Sequence, residues 1–187
     1  MGRERLLSSQ QIYQGRAVKL RVDRVAKPSG KETTREVVEH DDCVAVVALD
    51  AEDNVLLVRQ FRHAVEEELL EIPAGGIHPG ETAEQAVRRE LQEETSYFPH
   101  QLKKLRGFYS APGYCTEYLY LYLATELVVS PLQAEDTEDI DLVRVPRADI
   151  PHLIASGKIC DAKSIAGLLS TSFYEWGSFF PGGSKAN

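Results

Sequence analysis

Residues 75–94 read GGIHPGETAEQAVRRELQEE, a glycine-rich loop that leads into a helical pattern. At about 100° per residue, Glu90, Glu93 and Glu94 fall within roughly one third of the helix circumference. Like charges three and four residues apart repel each other and weaken a helix. Clustered carboxylates suit a hard divalent cation such as magnesium or manganese. The stretch therefore predicts a helix that carries metal ligands, with an ordinary solvated helix as the alternative.

The spacing of this stretch resembles the signature box of the Nudix hydrolases. Gly75 is followed after five residues by Glu81, and after seven more by the sequence RELQEE at residues 89–94. The resemblance implies an α/β fold, a Nudix-type α/β/α sandwich with a mixed sheet. It also implies hydrolysis of a diphosphate attached to another moiety, with Mg2+ as the usual cofactor and Mn2+ as the substitute. Ser96 stands where the family usually has glycine, and a left-handed serine there would cost about 1 kcal/mol.

The resemblance assigns roles to residues of the box. It implies four metal-ligating groups: the backbone carbonyl of Ala74 and the carboxylates of Glu90, Glu93 and Glu94. Glu93 is also a candidate catalytic residue. Arg89 is expected to hold Glu93 or Glu81 in place rather than to touch the substrate.

Two features outside the box resemble the ADP-ribose pyrophosphatase subfamily and suggest substrate contacts. Pro112 lies sixteen positions beyond Ser96, and with Gly113 it is a candidate substrate-binding residue, although a simple turn also explains the sequence. Arg62 closes the sequence RQFR and is a candidate for binding the diphosphate or the terminal ribose. A solvated charge at the end of a strand is the other interpretation of Arg62.

An acidic segment, EDTEDI at residues 135–140, resembles the loop that supplies the last metal ligand or the general base in this subfamily. Glu138 is the expected ligand and a candidate catalytic residue, Asp136 is the expected base, and Glu135 is the reserve. A mobile acid can approach the attacking water once substrate has closed the site. A solvated acidic loop is the competing interpretation.

The length of 187 residues favours one domain. Alternating apolar residues at 18–22, a turn and a return at 33–39 predict an amino-terminal β-hairpin region, residues 1–40. Residues 41–172 would form the Nudix core, with a strand expected at 102–109. Residues 173–187 would form a tail, and the aromatic residues around Trp176 would seal the core or contact a second subunit.

The charge, the hydropathy and the cysteine content indicate which partners and which compartment are expected. The net charge is −8, and no run of lysine or arginine occurs, so a nucleic-acid partner is not expected. No apolar run approaches the length that spans a membrane, so no membrane partner is expected. The three cysteines are odd in number and unpaired in spacing, which indicates reduced thiols in a cytoplasmic protein.

These observations lead to a specific expectation for function. The protein is expected to hydrolyse ADP-ribose or a related nucleoside diphosphate sugar with Mg2+, releasing AMP and ribose 5-phosphate from ADP-ribose. The resemblance also implies a homodimer in which the amino-terminal hairpin crosses to the partner subunit. Two alternatives remain: hydrolysis of another nucleoside diphosphate derivative, and a Nudix module that senses a nucleotide without cleaving it.

Overall fold

A computed structural model describes residues 2–132 and 139–176, without the side chains of residues 172–176. The chain divides into two compact units, Met1–Asp42 with Phe108–Leu119 and Cys43–Gly107 with Tyr120–Asn187. The expected single-domain organisation stays a prediction. None of the helices in the described ranges is long and apolar enough to cross a membrane. The strands are β1 Arg5–Gln14, β2 Lys19–Ala26, β3 Glu32–Glu39, β4 Cys43–Leu49, β5 Asn54–Arg62, β6 Glu67–Glu71, β7 Ala74–Gly76, β8 Tyr97–Lys104, β9 Phe108–Tyr109, β10 Tyr118–Val129 and β11 Asp141–Pro146, and the helices are α1 Ala83–Thr95, α2 Ile150–Ala155 and α3 Ala162–Trp176.

The first unit contains an antiparallel sheet with the strand order β1-β2-β3. Strands β2 and β3 form the predicted hairpin, in register from Lys19 opposite Glu39 to Ala26 opposite Glu32. Strand β1 pairs along β2 with two register shifts. It was not predicted, because its residues are almost all exposed and show no apolar alternation.

The second unit is built around a sheet with the strand order β11-β5-β4-β10-β8, to which β6 adds along β5 and β7 along β4. Strand β4 is buried along nearly its whole length, as expected for a strand covered on both faces. Its residues Val44, Val46 and Ala48 belong to one buried cluster with residues of α1. Val47 points the other way and lies beside Gly167 of α3. Helices thus cover both faces, which confirms the α/β/α sandwich.

Helix α1 begins and ends with local signals that hold the box in place. Thr82 caps the first turn by accepting a hydrogen bond from the Gln85 backbone, and the Gln85 side chain accepts one from the Thr82 backbone. At the other end Ser96 adopts a left-handed conformation, φ 64°, and its N–H donates to the Gln92 carbonyl. The serine therefore ends the helix in the geometry that glycine usually provides.

Ser96→Gly should stabilise the protein, because glycine adopts a positive φ without the steric cost that a Cβ imposes. We expect the free energy of unfolding to rise by about 1 kcal/mol, measured by chemical denaturation. Ser96→Ala is the matched control, since it removes the hydroxyl but keeps the Cβ, and it should give no gain. An equal gain for alanine and glycine would show that the left-handed backbone is not the cause.

Candidate active site

The loop before α1 brings the backbone of β7 against the carboxylates of the helix. Strand β7 pairs with β4, with Ala74 opposite Ala45 and Gly75 opposite Val44, so the buried sheet sets its position. The Ala74 N–H donates to Glu94 Oε2 at 3.2 Å. A Cβ placed on Gly75 would lie 2.1 Å from Glu90 Cδ and 2.2 and 2.3 Å from its two oxygens. Only glycine lets this carboxylate lie directly against the strand.

Arg89 binds three carboxylates of the box. Its Nε and Nη2 donate to the two oxygens of Glu81, each at 2.9 Å. Its Nη1 donates to Glu90 Oε1 at 2.6 Å and to Glu93 Oε2 at 3.1 Å. Nη2 also donates to the Gly76 carbonyl at 2.8 Å, which ties the helix to the loop. Arg89 thus holds Glu81 and Glu93 as the sequence predicted, and it holds Glu90 as well.

Two acids on this helix face, Glu90 and Glu94, have raised pKa values. Burial raises the pKa of Glu94 to about 8, with a further contribution from the negative charge of Glu90. Burial also raises the pKa of Glu90, and the nearby Arg89 only partly offsets this. The Glu81 carboxylate, which accepts the Arg89 bonds, has its pKa lowered. The site therefore has less positive charge than its carboxylates need.

These features fit a hard divalent cation. The donor set consists of oxygens from Glu90, Glu93 and Glu94, with the carbonyl of Ala74 on the adjoining strand, and oxygen donors are what Mg2+ and Mn2+ prefer. Glycine at position 75 leaves the Glu90 carboxylate room beside the backbone. A bound cation would supply the positive charge that Arg89 alone does not.

A second charged cluster lies at the end of β5. Arg62 donates through Nε at 3.1 Å to Glu71 Oε1 and through Nη2 to Oε2. Lys163 Nζ donates to Glu71 Oε2 at 2.7 Å and to Asp161 Oδ2 at 2.9 Å. Burial would raise the pKa of Glu71, but the bonds and charges of Arg62 and Lys163 outweigh it and lower that pKa. Arg62, the predicted substrate residue, is thus held by a buried carboxylate.

The remaining predicted site residues belong to the first unit or fall outside the described residues. Pro112 and Gly113 are exposed in a loop of the first unit. In that unit the loop is attached to β3 through the Tyr114 carbonyl, which accepts from the Val38 N–H at 2.7 Å. Four predicted residues fall outside the described residues or side chains: Glu135, Asp136, Glu138 and Trp176.

Sequence reasoning missed three residues of the second cluster, Glu71, Lys163 and Asp161, and the neighbouring Ser164. The Ser164 side chain is buried and its Oγ accepts from the Ile72 N–H at 2.9 Å. Glu71 and Lys163 each interrupt an otherwise apolar stretch, in LLEIPA and AKSIAGLL. A lone charge in a segment that must be buried calls for a partner, and this signal was available in the sequence.

Gly75→Ala should weaken divalent-ion binding, because the new Cβ would displace the Glu90 carboxylate. We expect the affinity for Mn2+, measured by electron paramagnetic resonance of the free ion, to fall by about tenfold or more. Gly76→Ala is the matched control, since a Cβ there meets nothing within 4 Å, and its affinity should match that of the wild type. Equal Mn2+ affinities for the two variants would contradict the metal assignment.

Comparison with protein families gives two matches. The NUDIX domain matches residues 39–168. The nucleoside diphosphate sugar hydrolase N-terminal domain matches residues 4–38. The first match covers more than half of the chain and includes every candidate metal ligand that the structure describes.

Individual proteins agree with these matches. An ADP-ribose pyrophosphatase of Bacillus subtilis is 37% identical over 163 residues, which cover 86% of this chain and 88% of that protein. An ADP-ribose pyrophosphatase of Mycobacterium tuberculosis is 35% identical, over 88% of this chain and 81% of that protein. The crystal structure of an ADP compounds hydrolase superimposes with a TM-score of 0.87 at 22% identity, over 95% of this chain and 97% of that one. With these relatives and the NUDIX match, the chain belongs to the Nudix hydrolase family.

Proposed function

We propose that this protein is a Mg2+-dependent hydrolase of ADP-ribose or a related nucleoside diphosphate sugar, and that it releases AMP and ribose 5-phosphate from ADP-ribose. The observation that carries the proposal is the Glu90 carboxylate, which lies against the backbone of Gly75 with Glu94 and Glu93 beside it. This arrangement supports metal-assisted cleavage of a diphosphate, which requires that negative oxygens be brought together. Mn2+ has the same ligand preference and would substitute for Mg2+.

Four groups would hold the cation: the Ala74 carbonyl and the carboxylates of Glu90, Glu93 and Glu94. When bound, such a cation neutralises phosphate oxygens and lowers the pKa of a coordinated water from about 15.7 towards about 7. Arg89 keeps three acids of the box in fixed positions through its five donor contacts. A fixed ligand set costs no reorganisation during the reaction.

The substrate would be bound by groups outside the box. Arg62 would contact the diphosphate or the terminal ribose, and Pro112 with Gly113 would contact another part of the substrate. The general base and the last metal ligand would come from the acidic segment, with Asp136 as the base, Glu138 as the ligand and Glu135 in reserve. An acid in this position would take the proton of the attacking water.

The substrate class rests on the relatives and on the amino-terminal match. The two relatives above carry the name ADP-ribose pyrophosphatase, and a relative of Enterobacter, 30% identical over 70% of this chain, carries the name GDP-mannose pyrophosphatase. The match at residues 4–38 is to an N-terminal domain of nucleoside diphosphate sugar hydrolases. All these names share a nucleoside diphosphate, which supports that class over other diphosphates. Retention of Glu81, Glu90, Glu93 and Glu94 favours turnover over a module that only senses a nucleotide.

Glu94→Gln should abolish most of the activity, because it removes an anionic ligand while keeping the size of the side chain. We expect kcat/KM for ADP-ribose in Mg2+ to fall on the order of 100-fold, measured by phosphate release in a phosphatase-coupled assay. The same assay, run with a panel of nucleoside diphosphate sugars and with a chelator, identifies the substrate and the need for a cation.

The matched control for this variant is Glu84→Gln. Glu84 lies on the same helix, its side chain is 60% exposed, and it forms an ion pair with Arg88. This variant should keep the wild-type activity. A Glu94→Gln variant as active as Glu84→Gln, or a wild type that is indifferent to the chelator, would refute the proposed chemistry.

We also propose that the protein is a cytoplasmic homodimer. Strand β1 leaves Leu6, Ile12 and Tyr13 each more than half exposed, which supports burial of this strand against a second copy. The three cysteines are free thiols, Cys43 buried, Cys115 partly buried and Cys160 exposed, which supports a reducing compartment.

Light scattering coupled to gel filtration should give a mass of two chains at micromolar concentration. Ile12→Asp should shift the protein to the mass of one chain, because a charge would have to be buried in the contact. Ser29→Asp adds the same charge in an exposed turn of the same unit and should leave the dimer intact. A single-chain mass for the wild type would overturn this assignment.

A further inference from the structure

The first turn of α3 lies against the segment that leads into the site. Ser164 Oγ accepts from the Ile72 N–H at 2.9 Å, and Ser164 itself is fully buried. Asp161 caps the helix by accepting from the Ser164 N–H at 3.1 Å through Oδ2. This turn thus fixes the backbone directly before Pro73 and Ala74.

A chain of alternating charges starts from the same turn. Asp161 Oδ2 accepts from Lys163 Nζ at 2.9 Å, and Lys163 donates to Glu71 Oε2 at 2.7 Å. Glu71 in turn accepts from Arg62 through both of its oxygens. Along this chain the side chains of Asp161, Lys163, Glu71 and Arg62 are 15%, 16%, 2% and 38% exposed. The charges therefore pass through a buried carboxylate, Glu71, to the most exposed member, Arg62.

The orientation of Arg62 leaves part of its guanidinium available. Its Nε and Nη2 face Glu71, which is the paired geometry that guanidinium and carboxylate prefer. Nη1 makes no hydrogen bond with any residue in the described ranges. A group held on one edge and open on the other can bind an anion without first losing side-chain freedom.

A role in stability alone does not explain why these buried charges are present. Buried ion pairs are often replaceable by apolar side chains without loss of stability, so stability alone gives little reason to keep them. The Ser164 contact already attaches α3 to Ile72 without any charge. The chain of charges also fixes the orientation of the Arg62 side chain, which the Ser164 contact does not do.

We propose that Lys163 is a positioning residue that acts through Glu71 to orient Arg62 towards the anionic diphosphate of the substrate. This inference rests on the proposed function, because it takes Arg62 as the residue that meets the diphosphate. Lys163 holds one oxygen of Glu71 in place while Arg62 binds both, so the carboxylate cannot rotate away from the arginine. Asp161 fixes Lys163 from the other side.

The test separates substrate binding from chemistry. Lys163→Met should raise KM for the substrate by about tenfold, the effect expected for a disturbed charge-assisted hydrogen bond, with kcat within about threefold of the wild type. Lys163→Arg should keep KM near the wild-type value, since arginine can donate to both carboxylates. Mn2+ affinity should not fall in either variant, because Lys163 acts on Glu94 only through its positive charge and donates no hydrogen bond to it.

Two further variants keep the test decisive. Asp161→Asn preserves the helix cap, because asparagine caps as well as aspartate, but removes the charge that holds Lys163. It should raise KM in the same direction, and it decides the question if Lys163→Met does not fold. Lys158→Met removes an exposed lysine just before α3 and should leave KM and kcat unchanged.

The outcomes also separate this inference from the proposed function. Unchanged KM in folded Lys163→Met and Asp161→Asn, or a parallel loss of kcat and Mn2+ affinity in these two variants, would overturn the role of Lys163 while hydrolysis by the wild type stands. If the wild type binds ADP-ribose in calorimetry with EDTA but releases no product with Mg2+, the proposed hydrolysis fails and Kd takes the place of KM. If it neither binds nor cleaves any nucleoside diphosphate sugar in the panel, both proposals fail.

Discussion

The close approach of the Glu90 carboxylate to the Gly75 backbone sets the geometry of the whole candidate site. A Cβ at position 75 would overlap that carboxylate at 2.1 Å, so the carboxylate can keep this position only if residue 75 is glycine. The buried strand β4 fixes one side of the contact through its pairing with β7. Helix α1 fixes the other side by packing Ala86, Val87 and Leu91 into the core. The ligands are therefore positioned by two elements that pack into the buried core of this unit.

Burial of the Glu94 carboxyl group in the same arrangement makes the stability of the folded state depend on pH. Folding raises the pKa of Glu94 from its ordinary value of 4.5 to about 8. A carboxyl group with a raised pKa contributes stability that is complete below the ordinary pKa and is lost as the pH rises towards the folded value. At neutral pH the buried Glu94 carboxylate therefore opposes folding, and Arg89 pairs with Glu81, Glu90 and Glu93 rather than with Glu94. An ion that binds the folded state would recover that stability.

Local patterns predicted the parts of the structure that depend on neighbouring residues. The box helix and the hairpin of β2 and β3 each follow from a periodicity within about ten residues. The strand expected at 102–109 divides into β8, which starts at Tyr97, and the short β9. Leu105 lies between them, buried, and its N–H donates to the Leu121 carbonyl at 2.8 Å. This contact joins residues sixteen positions apart, so periodicity within one segment could not show it.

The charged cluster could not be predicted because its members come together only through the fold. Lys163 and Glu71 are separated by 92 positions, and a charge pattern within one window cannot report such a contact. The sequence does show an energetic cost of burial, because Lys163 and Glu71 each lie in a stretch that the fold has to bury. The second unit meets this cost by pairing the two, and Glu71 in turn holds Arg62. A charge in a stretch that the fold has to bury therefore indicates that this stretch meets another segment, although it does not identify that segment.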